Sequence, residues 1–523
     1  MSGRDETNSG EFSQSGVSPF WSSAGGLLLS LSAVLTWFSF EFVHGEGHSE
    51  RPIVAIVVIL LVSHATFAVA AWRAVTRRDV STRFILTIAI LARIVVLPST
   101  PVQEDDIYRY IWDGLVVSEG LDPFAVSPLE VQTFDPERGE PAAAASYVQI
   151  RDASESRRVI LQRVNHPEFV TIYPAPVQAI FSSVGVLPPE TDVALYVVAL
   201  KSVLAMFDIG ILVLLWWLLR RLVFPAEWLI FYAWNPLILK EFYNSGHMDL
   251  IPAFFVLLAC ASLLARSGAD LRFSGVLTAG LALGAAIATK FFALLLVPLF
   301  FWRAGGWRGV WLAVFAAIFP VATFFAFPEG ADRRAETLQE FATTWEMHAA
   351  GFLWIQEIIA RFVGDWQWVE ALPTPEDTVI FLARIVASVL IAAVALWVAF
   401  RAKRGECGRD FLRRVFAILA TLFLVGPLGN PWYFAWALVF FPFLKLRAWW
   451  LLSALLTVYY LRFSFHYRYE SYGFESADDA FWFFDVYVVS AEMAIVFLAL
   501  GAEWWTRRRV GLGEPAIDHS SQM

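Results

Sequence analysis

Residues 84–124 read FILTIAILARIVVLPSTPVQEDDIYRYIWDGLVVSEGLDPF. An apolar run over 84–97 ends at Pro98, and three consecutive carboxylates follow, Glu104, Asp105 and Asp106, with Arg109 set between Tyr108 and Tyr110. This is the pattern of a membrane span meeting a charged, water-facing loop. It fits the whole chain: 58% of the 523 residues are hydrophobic and 17% charged, with 46 Phe and 23 Trp, and the mean hydropathy is +0.58. Long apolar stretches recur from 22 to 505, which makes this an all-α polytopic membrane protein. The net charge of −9 argues against nucleic acid as a partner. The 2 cysteines, Cys260 in an apolar span and Cys407 in a basic loop, support neither a disulfide framework nor a metal cluster. The polar, acidic start MSGRDETNSGEFSQSG is no cleavable signal peptide, so the first span is expected to direct insertion.

Outward from that stretch, the apolar segments are 22–43, 52–72, 84–97, 192–219, 226–242, 249–266, 273–288, 291–302, 309–327, 378–400, 412–427, 433–446, 449–463 and 486–505. They predict a bundle of about 12–14 transmembrane helices. Several are short, and 273–288 with 291–302 reads as a re-entrant pair around Thr289-Lys290. A polar tail over 1–21 and a second over 506–523 flank one membrane domain over 22–505. Arginines gather at 73, 77, 78 and 83, at 220 and 221, at 266 and 272, at 303 and 308, along 401–414, and at 507–509. These segments place all of these loops on one side, which the positive-inside rule makes cytoplasmic. The opposite loops are acidic in character: 98–170 holds 13 acidic against 6 basic residues. The expected location is therefore the inner (plasma) membrane, with a site in the long first outer loop, about 98–190, facing the periplasm or exterior. Within it, 153–165 and 170–187 mix apolar and polar positions and are expected to lie along the membrane surface. Pro174 and Pro176 disfavour a continuous span there.

Several constellations on that side can carry chemistry. Asp105 and Asp106 are neighbouring carboxylates beside apolar and aromatic residues, a setting that raises at least one pKa and suits a general base. Glu104 either binds substrate or starts a solvated loop. Arg109, four residues from Asp105, can hold the pair if the segment is helical. Asp113-Gly114 and Gly120-Leu121-Asp122-Pro123 read as tight turns. In NHPEFVTIYPAPVQ, 165–178, His166 and Glu168 bind substrate or shape a turn, and Tyr173 offers a stacking face for a sugar. In YNSGHMDL, 243–250, Asn244, His247 and Asp249 cluster where the chain re-enters the bilayer, though capping also explains Asp249. Lys290 is a lone lysine in apolar surroundings, either a phosphate ligand or snorkelling to headgroups. Arg462, His466 and Arg468 sit among aromatics in LRFSFHYRYE, and arginine suits phosphate. His348, Glu346, His247 and Asp249 have no spacing that enforces a metal site, so no cofactor is indicated.

With these pieces together, the chain resembles the GT-C superfamily of integral-membrane glycosyltransferases, and within it bacterial polyprenol-phosphate-mannose-dependent mannosyltransferases. The resemblance rests on EDDIYRYIWDGLVVSEGLDPF, NHPEFVTIYPAP, SGHMD, ATKFFALLLVP and GNPWYFAWAL (429–438), spread over about residues 80–445. It departs from the commonest pattern where GLDPF replaces Asn-Pro-Tyr and SGHMD replaces His-Asn-Asp, which bears on the sugar more than on the reaction. The resemblance implies an acidic base in the first outer loop, Asp105 or Asp106, with a slight preference for Asp105. Tyr110 belongs with the substrate contacts of that motif. The implied partners are a polyprenyl-phosphate-sugar donor, a glycolipid or glycan acceptor, and the bilayer. The acceptor hydroxyl would displace the phosphate with inversion, and the leaving anion would need cations from among Lys290, Arg462, Arg468 and His247. A transporter or flippase is the main rival, but it calls for internal repeats and midplane charges. A lipid-linked-glycan polymerase or ligase and a structural subunit are further alternatives.

Overall fold

The computed structural model describes residues 18–45, 47–135, 142–265, 272–363, 375–403, 406–444 and 447–509. Most of both terminal tails, Arg266, Arg404 and part of the 364–377 connection lie outside these residues, as do the side chains of Arg507 and Arg509. Among the described residues there is no strand, only an isolated bridge between Met347 and Leu428. The protein is an all-α, multi-pass membrane protein.

Among the described residues, six helical stretches are long and apolar enough to cross a membrane: Pro19–Ser39, His48–Arg77, Val193–Arg221, Gly306–Phe325, Asp377–Phe400 and Ala477–Thr506. Leu250–Leu264, Phe273–Thr289 and Phe291–Ala304 are shorter apolar helices. The contrast with uninterrupted spans has identifiable causes. The stretch 226–242 is broken into a 3₁₀ turn, a short helix to Ala233, a restart at Asn235-Pro236 and a π-helical turn over Leu239–Asn244. Proline cannot continue a helix, and the Asn235 side chain accepts from the Leu237 amide to start the next piece. The stretch 433–446 is likewise fragmented after Asn430-Pro431. Irregular backbone at membrane depth survives only inside protein, and residues 228–250 are buried without exception. The two broken segments meet at their ends: His247, just after the first, stacks on Trp432, just before the second, with centroids 4.0 Å apart.

Helices α1 (Pro19–Ser39), α2 (Ile53–Arg77) and α3 (Thr82–Val96) pack together at the N-terminal side. Elsewhere Gly280 and Gly284, four residues apart on Phe273–Thr289, let the Gly306–Phe325 helix approach closely: a Cβ on either would lie 2.8 or 2.7 Å from the Leu312 or Ala316 carbonyl oxygen. Small residues at such spacing are how membrane helices gain contact without a hydrophobic drive.

After α3 the chain forms α4 (Asp106–Ser118), α5 (Pro128–Thr133), α6 (Ala142–Asp152), α7 (Glu155–Gln162) and α8 (Ala175–Phe181), then crosses in α9 (Val193–Arg221). The turn expected at Asp113-Gly114 is overturned, because both residues lie inside α4. Gly114 is there for packing: a Cβ would lie 2.2 Å from the Phe181 carbonyl oxygen of α8. Gly120, at φ +76°, is where the chain does turn. Residues Ile107–Val116 are all buried. The amphipathic stretches form α7 and α8, which bury Arg157, Ile160 and Leu161, and Val177, Gln178 and Phe181, in the cluster around α4. The long loop between α3 and α9 is thus a small helical cap with its own core, seated on α9.

The arginine-rich loops gather at one end of the bundle, where Arg303 donates to the Glu406 carbonyl, Arg414 pairs with Glu406, and Arg73 pairs with Asp79. The cap lies at the other end. Buried Arg93 of α3 ties the structure between them, pairing with Asp208 of α9, which also accepts from Tyr232 (2.5 Å) and Tyr243 (2.7 Å).

Candidate active site

Polar ties fix the entry to α4. Lys201 of α9 donates to the Ser99 carbonyl (2.7 Å), and Asn244 bonds Ser99, Thr100 and the Val102 amide at 2.7–3.1 Å. Lys240 donates to Ser245 (2.6 Å) and lies 3.9 Å from the Tyr460 ring centroid. Gly246, at φ +78°, makes the corner that follows. A Cβ there would lie 2.5 Å from Ile107 of α4. The broken segment and the start of α4 are therefore in direct contact, which brings the carboxylates of 104–106 over a buried polar cluster.

Asp106 opens α4. Its Oδ1 accepts from Asn165 Nδ2 (2.7 Å), its Oδ2 accepts from the Tyr110 hydroxyl (3.3 Å), and His247 Nδ1 stands 3.7 Å away. Its side chain is 22% exposed, so it is both held and reachable. Asp105 sits at the N-cap position without capping. Its side chain is 46% exposed and lies 4.0 Å from His44. Desolvation, then the Asp106 charge, raises the Asp105 carboxyl to about 6 against the pull of Arg51 and Arg163. Glu104 is buried, its Oε1 has no hydrogen-bond partner, and desolvation and then Asp106 push its carboxyl well above the usual range.

Below Asp106, His247 is wholly enclosed. Its Nε2 faces Glu241 Oε2 at 3.5 Å, with Lys240 and Lys290 nearby. Glu241 accepts from the Tyr460 hydroxyl at 2.9 and 3.0 Å. Lys290, at the end of Phe273–Thr289, is not a snorkelling residue: its Nζ bonds Asp249 Oδ1 at 2.6 Å and lies 4.0 Å from the Tyr433 ring centroid. Asp249 also accepts from Trp436 Nε1 (3.0 Å) rather than capping the helix it precedes.

The other candidates are placed differently. Arg109 is on α4 as expected, but its guanidinium donates to the carbonyls of Asn165, His166 and Phe169 at 2.8–3.2 Å instead of to the aspartates. It shapes the loop that presents Asn165 to Asp106. Tyr173 stacks edge-on with Tyr110, hydroxyls 3.4 Å apart. His166, half exposed with φ +46°, stands 3.5 Å from Glu168 and 4.7 Å from the Trp345 ring. Arg462 is paired through Nε and Nη2 with Asp485 at 2.9–3.2 Å, His466 stacks on Phe481, and Arg468 donates to the Ser49 and Arg51 carbonyls. His348 pairs with Glu492 (3.2 Å) while His247 faces Asp106 and Glu241, so the four residues weighed as metal ligands face different partners. Among the described residues no group of 3 or more His, Cys, Asp or Glu side chains is arranged to hold a metal.

Lys240, Glu241, Asn165, Tyr433, Trp436 and Tyr460 contact the same cluster, although the sequence does not single them out as individual residues. Their signal was present: Lys240-Glu241 is a charged pair inside an apolar run interrupted by Asn235-Pro236, and ionisable residues in such a place are functional candidates.

A helical membrane protein with an oriented carboxylate at the mouth of a buried acid, lysine and histidine cluster fits a membrane-embedded group transferase, and the chain is similar to the GT-C class of glycosyltransferases. Residues 171–428 match the model of glycosyltransferase family 87, a membrane family of this type. The matched region contains Tyr173, Glu241, His247, Asp249 and Lys290 and begins after α4. No curated relative and no solved structure matches the chain.

Proposed function

We propose that this glycosyltransferase moves a sugar, mannose in the first instance, from a polyprenyl-phosphate donor to an acceptor hydroxyl at the outer membrane face. The observation that carries the reading is Asp106, a partly exposed carboxylate oriented by Asn165 and Tyr110 at the edge of a buried cluster that includes Lys290. A general base must be fixed in direction and open to its substrate, and Asp106 is both. It takes the proton of the acceptor hydroxyl as that oxygen attacks the anomeric carbon. The phosphate leaves from the opposite face, so the configuration inverts. Lys290 receives the developing charge, being the cation that shares the cluster with Asp106 and interacts with it electrostatically. The acidic cap lies at the end opposite the arginine-rich loops, which supports an outward site and a lipid-linked donor needing no nucleotide.

A second assignment of the base has its own support: the Asp105 carboxyl, raised to about 6 and half exposed, is matched to proton transfer near neutrality. The reading is tested by supplying purified protein in detergent with radiolabelled polyprenyl-phosphate-mannose, or with nucleotide-linked mannose, and a membrane-lipid extract. Transfer from the lipid-linked donor alone, with inverted anomeric configuration, is expected. Transfer from the nucleotide sugar, or retention, would overturn it.

A further inference from the structure

The mechanism above uses Asp106 and leaves the groups directly beneath it without a task. His247 has no side-chain exposure and stacks on Trp432 with an interplanar angle of 17°. Its nitrogens face two carboxylates, Nδ1 toward Asp106 Oδ2 at 3.7 Å and Nε2 toward Glu241 Oε2 at 3.5 Å, and neither nitrogen has a closer partner. Both gaps are longer than a formed hydrogen bond and too short for an intervening water, which would need roughly 5 Å between its two partners. A buried ring with unmet donor and acceptor capacity between two carboxylates is an arrangement for handing on a proton, because a shift of well under 1 Å closes either bond.

We infer that Glu241 and His247 form a proton relay behind Asp106, with Glu241 fixing the tautomer of His247. The inference rests on Asp106 being the base. Glu241 is the more deeply enclosed carboxylate, and Tyr460 donates to both of its oxygens. It therefore takes the single N–H of the neutral ring at Nε2, leaving the Nδ1 lone pair directed at Asp106. When the acceptor oxygen bonds to the anomeric carbon, its proton passes to Asp106 Oδ2. That proton then moves to His247 Nδ1. Asp106 becomes a carboxylate again, and the imidazolium is stabilised by the facing Glu241 carboxylate. After the product leaves, the proton returns through Asp106 to water, and no other group changes its charge. The role of Glu241 parallels that of the buried carboxylate that orients histidine in hydrolytic triads. Charged and titratable groups around the ring are Asp106, Glu241, Asp249, Glu104, Lys240, Lys290 and Tyr460. Both residues act through Asp106 and are positioning residues.

Glu241→Gln is the direct test, because the glutamine amide can donate to Nε2 and turn the Nδ1–H toward Asp106. Transfer from radiolabelled polyprenyl-phosphate-mannose to a membrane-lipid extract should then fall about 100-fold or more in kcat, with the donor KM within about twofold. The acidic limb of the kcat profile should move to lower pH, since the imidazolium has lost its anion. Glu241→Asp should restore part of the rate, and Tyr460→Phe, which removes one bond to Glu241 without altering the tautomer, should cost less than about tenfold. A folded Glu241→Gln enzyme with the wild-type rate and pH profile would overturn the relay. Should that variant fail to fold, His247→Gln decides the matter on the same readouts. Asp106→Asn separates the two levels. An inactive Asp106→Asn beside a fully active Glu241→Gln overturns the relay alone, whereas an active Asp106→Asn overturns the base and the relay with it.

Discussion

Replacing Lys290 by methionine keeps the length of the side chain and removes its charge, leaving Asp249 with the Trp436 indole as its donor among the described residues. Asp249 is 1% exposed, so the carboxylate cannot recover by hydration. Breaking a buried ion pair from one side costs about 3–5 kcal/mol. The lower end is expected here, about 3 kcal/mol, because the Lys290 side chain is itself 23% exposed and its contribution is partly screened. Asp249→Leu should cost a similar amount by stranding the ammonium against Tyr433 and Trp436, although cation–π contact retains some of its energy. The double variant removes both charges, and replacement of a buried pair by apolar groups is often close to neutral. It should lie within about 1–2 kcal/mol of wild type, a coupling energy of roughly 4–5 kcal/mol. Equilibrium unfolding in mixed micelles, followed by tryptophan fluorescence, measures all four proteins. A Lys290→Met protein as stable as wild type, or a double variant whose loss equals the sum of the singles, would refute the reasoning and leave Lys290 with phosphate binding as its only task.

Two further predictions concern the cap. Gly114→Ala should destabilise the protein by about 1–3 kcal/mol, because the new methyl meets a backbone carbonyl 2.2 Å away. Gly26→Ala, with nothing within 4 Å, should instead be neutral or stabilising by up to about 1 kcal/mol, and thermal unfolding of the pair checks the contrast. Asp105 has a folded-state pKa of about 6 against an ordinary 3.8, so the folded protein binds this proton more tightly than the unfolded chain. Its contribution to stability is therefore fully present below about pH 4 and lost as pH rises through about 6. With 46% side-chain exposure the effect is discounted to about 1 kcal/mol, so Asp105→Asn should stabilise the protein by that amount at pH 8 and by nothing near pH 4. Equal effects at both pH values would count against the raised carboxyl.

The class of fold was legible because hydropathy and arginine placement act residue by residue, and so was the concentration of polar chemistry at the cap end. The broken segments were not. Residues 226–242 are apolar enough to read as one span, and hydropathy does not register that Asn235-Pro236 stops a helix wherever neighbouring protein can satisfy the freed backbone groups. The Asp113-Gly114 dipeptide carries turn propensity, yet the approach of Phe181, remote in sequence, made glycine necessary within a helix. The cluster was only half visible for a similar reason. Asp106, His247 and Lys290 stand out as single residues, whereas Asn165 acquires meaning from its contact with Asp106, 59 positions away, and Glu241 from the π-helical turn.

The measurement that bears most directly on the central claim is single-turnover sugar transfer by the purified full chain, comparing wild type, Asp106→Asn and Asp105→Asn with polyprenyl-phosphate-mannose as donor. With Asp106 as the base, Asp106→Asn should lose about 100-fold to 10,000-fold in rate while still binding donor, and Asp105→Asn should keep most of its activity. Asp106→Asn turning over at the wild-type rate would contradict the account.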